Sequence, residues 1–200
     1  MDMATKPTEG LNQPLEFQPD ASSRRTKGAH KPEYASVFVE AGEPRDGCAR
    51  VHLLVNPFAG KKNGRKIAAR VIQLVEDAGI EISCSYSSYS GHLVTMASAL
   101  VVETGDIVAV VGGDGSFSEV ITGRMLLGKT TKETFAIVPA GTGNSQAHDL
   151  RIDSVEAAVK AILSGRTQAL DLARVELTEG LPGSTGGSLV RYSHNLVTWG

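Results

Sequence analysis

Gly112-Gly-Asp-Gly115 joins an apolar run, Ile107 to Val111, to a helical stretch with Glu119 in its second turn. Glycine admits positive φ and lets a ligand approach the main chain. N–H groups exposed where such a turn meets a helix start attract anions. Asp114 repels a phosphate bound there unless a proton, a metal ion or a nucleophilic hydroxyl lies between them. A carboxylate so placed can take the proton of an attacking hydroxyl or help to hold Mg²⁺. The same acid could simply cap its turn, a common use of Asp in Gly-Asp-Gly. Glu119, about one helical turn further on, either reaches the same site or sits on a solvated helix face.

Two other stretches repeat the pattern of a polar, glycine-bearing loop after an apolar run. They are Asn56-Pro57-Phe58-Ala-Gly60 and Gly141-Thr142-Gly143-Asn144. In a parallel, doubly wound sheet all three loops emerge at the carboxyl edge of the strands. Their donors can then converge on one polyphosphate, a stronger reading than three unrelated tight turns. Lys61, Lys62, Arg65 and Lys66 follow the first loop. They form a solvated face, help to hold phosphates or face an anionic membrane. His92, just after Gly91, is a local cap or a site residue. Gly123-Arg-Met-Leu-Leu-Gly-Lys-Thr130 spells a P-loop. It follows a helical segment instead of a strand, so it reads as a helix end with Gly128 as the stop. The strict Gly-x-Gly-x-x-Gly dinucleotide fingerprint is absent.

Periodicity supplies the elements that must position these residues. Ala49 to Asn56 predicts a buried parallel strand. Helical spacing from Arg65 (Ile67, Val71, Leu74, Val75, Ala78) predicts a helix stopped by Gly79. Further strands are expected at Glu81 to Tyr86, Ile107 to Val111 and Phe135 to Val138, with helices over His92 to Val102, to about Leu127, after Asn144, and from Asp153-Ser-Val-Glu156 to Gly165. The order βαβαβαβα makes this an α/β fold with a doubly wound parallel sheet. Then the pattern changes. Strands at Ala169 to Leu177 and Ser188 to Trp199, without a helix between them, predict the beginning of an antiparallel β domain. Three parts follow. Residues 1–48 are a disordered or linker tail, with Val37-Phe38-Val39 a short strand within it. Residues 49–166 form a nucleotide-binding domain, and 167–200 begin a second, incomplete domain.

Composition excludes several classes. A net charge of −2 over 200 residues gives no basic field for nucleic acid. The two cysteines, Cys48 and Cys84, have no metal spacing and suggest a reducing compartment. No apolar run approaches a membrane span, and the N-terminus lacks a secretory apolar core. A cytoplasmic protein, peripheral to membranes, is expected.

Asn56-Pro-x-x-Gly60, Ser87-Ser88-Tyr-Ser-Gly91-His92, Gly-Gly-Asp-Gly-x-x-x-Glu119 and Pro-Ala-Gly-Thr-Gly-Asn144, in that order, resemble the catalytic domain of the diacylglycerol kinase family. That family includes sphingosine, ceramide and bacterial diacylglycerol lipid kinases. The likeness covers roughly residues 50 to 200. Arg191-Tyr-Ser-His-Asn-Leu-Val-Thr-Trp-Gly200 is similar to the sphingosine kinase strand entering the lipid-binding β domain. Gly-Asp-Gly-Ser-Phe-Ser-Glu-Val120 resembles ceramide kinases, whereas Gly-Thr-Gly-Asn144 does not.

The resemblance implies ATP bound with Mg²⁺ between two domains. Around it would lie Asn56, Pro57, Phe58, Gly60, Ser87, Ser88, Gly91, Gly112, Gly113, Gly115, Glu119, Gly141, Thr142, Gly143 and Asn144. Asp114 would be the general base on a lipid hydroxyl. The expected reaction moves the γ-phosphoryl group to the primary hydroxyl of a sphingoid base, ceramide or diacylglycerol, with peripheral membrane contact. Ser87-Ser88 stands where the family usually has Thr-Glu. The family's acidic residues of the second domain would lie beyond Gly200, so the chain is expected to be a fragment or an impaired protein. Two alternatives remain open here: a kinase of a soluble substrate similar to NAD kinase, and a non-catalytic fragment that binds nucleotide or lipid.

Overall fold

The computed structural model describes residues 47–128, 133–177 and 189–195. Most of the expected tail, its Val37–Val39 strand, residues 178–188, Lys129-Thr130 and Trp199 lie outside them. Four strands form a parallel sheet in the order β2-β1-β3-β4: β1 (Arg50–Val55), β2 (Glu81–Tyr86), β3 (Ile107–Gly112) and β4 (Thr134–Pro139). The order reverses at β1, because β2 adds on one side of it and β3 on the other.

Helices cover both faces, which bears out the doubly wound α/β expectation. On one face α2 (Gly64–Asp77) and α6 (Val155–Ser164) pack Ala68, Val71, Val75, Ala158, Val159 and Ile162 over Val51, Leu53, Val55, Ala109 and Val111. On the other, α3 (His92–Ala99), α4 (Asp114–Met125) and α5 (Ser145–Asp149) pack Leu93, Ala97, Phe117, Val120 and Ala147 over Leu54, Val108, Val110 and Ile137. Every residue of β3 is buried, as a central strand covered on both faces requires. Each fully buried Val, Leu or Ile contributes roughly 1.5–3 kcal/mol. Edge strand β2 alternates exposed Glu81, Ser83 and Ser85 with half-buried Ile82, Cys84 and Tyr86. Among the described residues no helix is long and apolar enough to cross a membrane.

Away from the glycine-rich loops, at the amino-terminal end of β3, a buried polar cluster ties three strands together. His52 lies 2.9 Å from Asp106 through Nε2 and 3.0 Å from the Ser83 hydroxyl through Nδ1. Burial pushes the Asp106 carboxyl up, but the Glu103 N–H and His52 outweigh it and hold it below its ordinary value. These partners satisfy the groups, so the cluster is a strand clamp.

The P-loop string is a helix end, as expected. Gly123 lies inside α4 and Gly128, at φ 61°, follows its last turn. Gly123 is there for packing: a Cβ at this position would run into the Val94 carbonyl oxygen of α3. Alanine raises intrinsic helix propensity by about 1 kcal/mol over glycine. Overpacking against a main chain costs more, so Gly123→Ala is expected to destabilise the fold by roughly 2 kcal/mol or more. A urea midpoint at or above wild type would show that the two helices separate freely.

The second sheet pairs β5 (Ala173–Leu177) with β6 (Leu189–Ser193) antiparallel, as the loss of an intervening helix predicts. β5 begins four residues later than expected, and Ser188 and residues 196–199 of the other expected strand lie outside the described residues. Ala173 pairs with Ser193 and the chain bends at His194. Residues 169–172 therefore have no ladder partner among the described residues.

Candidate functional site

In doubly wound sheets the reversal of strand order marks the ligand edge, which here is the carboxyl ends of β1 and β3. There the loops after β1, β3 and β4 interlock through their main chains. The Asn56 N–H donates to the Val111 carbonyl at 2.9 Å, and its side-chain amide donates to the Ser116 hydroxyl at 3.1 Å. The Ala140 N–H donates to the Gly112 carbonyl at 2.9 Å. A Cβ on Gly113 would sit 3.0 Å from the Gly141 Cα, and one on Gly60 would sit 2.8 Å from the Ala140 carbonyl oxygen. These glycines let the loops touch one another, whereas Gly115 has nothing within 4 Å of a Cβ position. Glycine there is what leaves the start of α4 open to a ligand.

Asp114 is the first residue of α4, and its side chain is 24% exposed. Its Oδ2 accepts the Ser145 N–H at 2.9 Å and its Oδ1 the Gln146 N–H at 3.0 Å. The carboxylate thus occupies the N-terminus of α5, where an anion is favoured. Partial burial pushes its pKa up, but the two main-chain donors, with His194 beside them, outweigh burial and hold it below the ordinary value. Asp114 is a carboxylate at neutral pH. Asn144, in the left-handed region at φ 51°, closes the last loop on Gly141 with bonds of 2.7 and 2.9 Å. Two donors of the Gly141–Asn144 loop, the Gly141 N–H and the Asn144 amide, therefore meet acceptors inside the loop. Thr142 and Gly143 are exposed at its tip.

The first loop is strained. Gly60, Lys61 and Lys62 take φ of 59°, 58° and 70°, giving the short α1 turn (Ala59–Lys62) left-handed geometry. Such a conformation costs a non-glycine residue roughly 1–2 kcal/mol, and strain of this kind gathers at ligand sites. The turn borders a cleft of about 360 Å³ lined by Pro57, Phe58, Lys62, Arg65, Ser87 and Ser88. The Arg65 guanidinium lies over the Tyr86 ring, 4.4 Å from its centroid, and Phe58 is 63% exposed. Ser87 is tied to β1 by its N–H on the Val55 carbonyl, at 2.8 Å.

Glu119 and His92 hold the loop before α3. Glu119 Oε1 accepts the Gly91 N–H at 3.2 Å, and His92 Nδ1 accepts the Ser88 N–H at 3.0 Å while its ring stacks on Tyr89. His92, the first residue of α3, thus braces the preceding loop, while Gly91 stands at the cap position of the helix with no side-chain cap bond.

Sequence reasoning missed His194, which follows β6. Its side chain is 0% exposed and packs edge-to-face on Phe117. Nδ1 lies 3.1 Å from the Ser118 hydroxyl, and Nε2 lies 3.8 Å from Asp114 Oδ1. Thr122, one turn beyond Ser118, accepts the Tyr192 N–H at 3.0 Å. Asp114, Ser118 and Thr122 thus form an i, i+4, i+8 polar stripe that seats β6 on α4. That spacing was the available signal.

Residues 50–175 match the sequence profile of the Diacylglycerol kinase catalytic domain. Similar curated proteins include Sphingosine kinase B of Dictyostelium discoideum, 31% identical over 68% of this chain and 18% of its own length. Sphingosine kinase 1 of Arabidopsis thaliana is 29% identical over 92% of this chain and 37% of its own length. Diacylglycerol kinase of Bacillus subtilis (strain 168) is 26% identical over 74% of this chain and 48% of its own length. The chain therefore spans less than half the length of each of these relatives. A solved structure described as a candidate diacylglycerol kinase from Bacillus anthracis str. Sterne superposes with a TM-score of 0.51 at 23% identity, covering 64% of this chain and 44% of that one. It supports the fold. The profile match runs from the first strand of the parallel sheet into β5, and on it the chain belongs to the diacylglycerol kinase catalytic domain family.

Proposed function

We propose that the chain is the nucleotide-binding part of an ATP-dependent lipid kinase. The carrying observation is the meeting of three strand-to-helix loops at the strand-order reversal, around a partly exposed carboxylate and beside a cleft flanked by Lys62 and Arg65. The donor set suits a polyphosphate. It combines the open N-terminus of α4 at Gly115, two cationic side chains and the Ser87 and Ser88 hydroxyls. Asn56, Pro57, Phe58 and Gly60 would shape one wall. Gly91 and Glu119 would hold the loop beside it, and Gly141 to Asn144 would close the far side. Residues 49–166 would form the nucleotide-binding domain and 167–200 the start of the lipid-binding domain.

Among the described residues no three His, Cys, Asp or Glu side chains gather to hold a metal. Mg²⁺ commonly enters such sites on the phosphates themselves, where it would offset their charge. The chain's own part is to orient the phosphates and to present Asp114. A lipid's primary hydroxyl, set in line with the γ-phosphorus, attacks it while the bond to the β-phosphate bridging oxygen breaks. The hydroxyl proton passes to Asp114. A carboxylate of lowered pKa is a weak base, which suffices where the transition state is loose and the proton leaves late. Exposed Lys61, Lys62, Arg65 and Lys66 suit approach to an anionic bilayer.

Radiolabelled ATP offered with sphingosine, ceramide, diacylglycerol and NAD tests this reading. Label on one of the three lipids is expected. Label on NAD alone, or nucleotide binding without transfer to any of them, would overturn it.

A further inference from the structure

We propose that His194 is a positioning residue for the Asp114 carboxylate, with Ser118 setting its tautomer. The proposal rests on the reading of Asp114 as proton acceptor. The imidazole is fully enclosed, and its Nε2 has no hydrogen-bond partner although it lies 3.8 Å from Asp114 Oδ1. A buried polar atom left unpaired is expensive and asks for an explanation.

Two tautomers are available to the neutral ring. With the proton on Nδ1, the ring donates to Ser118, and the Nε2 lone pair faces the carboxylate. With the proton on Nε2, the Ser118 hydroxyl donates to Nδ1, and an N–H faces the carboxylate. Only the second arrangement is attractive at both ends. Burial also pushes the imidazole pKa down against the pull of Asp114, so the neutral ring dominates at pH 7.

The geometry is one small movement short of a bond. Shortening the gap from 3.8 Å to about 2.9 Å would complete a charge-assisted N–H···O contact. The main-chain donors of Ser145 and Gln146 already hold the carboxylate from the α5 side. His194 would hold it from the β6 side and so orient its remaining lone pairs. Thr122, bonded to the Tyr192 main chain, keeps β6 in register on α4. The position of the second sheet is thereby read by the proposed proton acceptor through a single side chain.

The test uses the intact protein with three replacements of His194. His194→Phe keeps the ring on Phe117 and removes both nitrogens. His194→Gln puts an amide donor near the Nε2 position, and His194→Asn puts one near Nδ1. Phe and Asn are expected to lower kcat by about tenfold to a hundredfold, with KM for ATP within about twofold of wild type. Gln should recover most of the loss. Wild-type kcat in the Phe variant, equal behaviour of Asn and Gln, or a loss confined to KM would overturn the proposal. Imidazole nitrogen NMR supplies a readout independent of activity. The His194 proton is expected on Nε2, with a signal that moves in Asp114→Asn. A proton on Nδ1, or an unmoved signal, overturns the proposal. A wild-type protein that phosphorylates no lipid refutes the kinase reading alone and leaves the NMR result to decide the His194–Asp114 contact.

Discussion

Asp114→Asn is expected to lower kcat for lipid phosphorylation by 10²–10⁴-fold, the usual worth of a positioned proton acceptor, while nucleotide affinity falls by no more than about tenfold. The smaller loss follows from the contacts of the carboxylate. Its two oxygens each accept a main-chain N–H, from Ser145 and Gln146. An asparagine keeps one acceptor and turns an NH₂ toward the other donor. One charge-assisted hydrogen bond is worth about 1.5–3 kcal/mol, partly recovered by a shift of the loop. Steady-state kcat beside calorimetric affinity for ATP separates the two effects. Equal losses in both would make Asp114 a clamp on α5 and not the proton acceptor.

The largest structural effect is expected at Arg124. Its side chain is 1% exposed, although it ends in a guanidinium. Nη1 donates to the carbonyls of Ala97 and Leu100 at 2.8 and 2.6 Å, satisfying the end of α3. Nε donates to Glu133 Oε2 at 2.8 Å, and Nη2 pairs with Glu133 Oε1. The guanidinium thus fastens α3, α4 and the approach to β4 at one point. Arg124→Ala leaves a largely buried carboxylate and two carbonyls without their donor. Breaking one side of such a pair costs about 3–5 kcal/mol, against a usual total of 5–15 kcal/mol for a domain. A fall in Tm of roughly 10 °C follows for a chain of this size. Arg124→Lys should not rescue it, because a point charge cannot replace the guanidinium fork. Arg124→Met with Glu133→Leu should recover part of the loss, since no charge is then left unpaired. Thermal unfolding checks both variants, and a fall in Tm below about 2 °C in Arg124→Ala would show the pair to be incidental.

The fold was legible where a pattern repeats. Val51 to Val55, broken only by His52, and Ile107 to Val111 read as covered strands because a near-continuous apolar run has few other resting places. Gly79 and Gly165 read as helix stops, and both take positive φ. The decoy string at Gly123 was resolved by its context, since a helical segment precedes it. The strand beginning at Ala169 was over-extended because apolar content cannot show where a pairing partner runs out.

At the candidate site, the meeting of the loops was legible and the pairing of their side chains was not. Nothing local in Gly-Asp-Gly says that the carboxylate will reach amides at 145 and 146, more than 30 positions on. Arg124 sits in a helix that is buried on nearly every side, where periodicity carries little signal. His194 follows a strand whose partner surface is the helix carrying Asp114, and its meaning exists only once the two are brought together. The Asp114, Ser118, Thr122 spacing was visible as sequence, but a stripe of three polar residues most often faces water.

Hydrogen exchange of the intact protein with and without Mg·ATP tests most directly whether three loops form one nucleotide site. The amides of residues 58–64, 113–116 and 141–146 are expected to gain protection together as the nucleotide saturates, with Ser87 and Ser88 beside them. Protection confined to one of these loops, or found only away from the carboxyl ends of β1 and β3, would contradict the account.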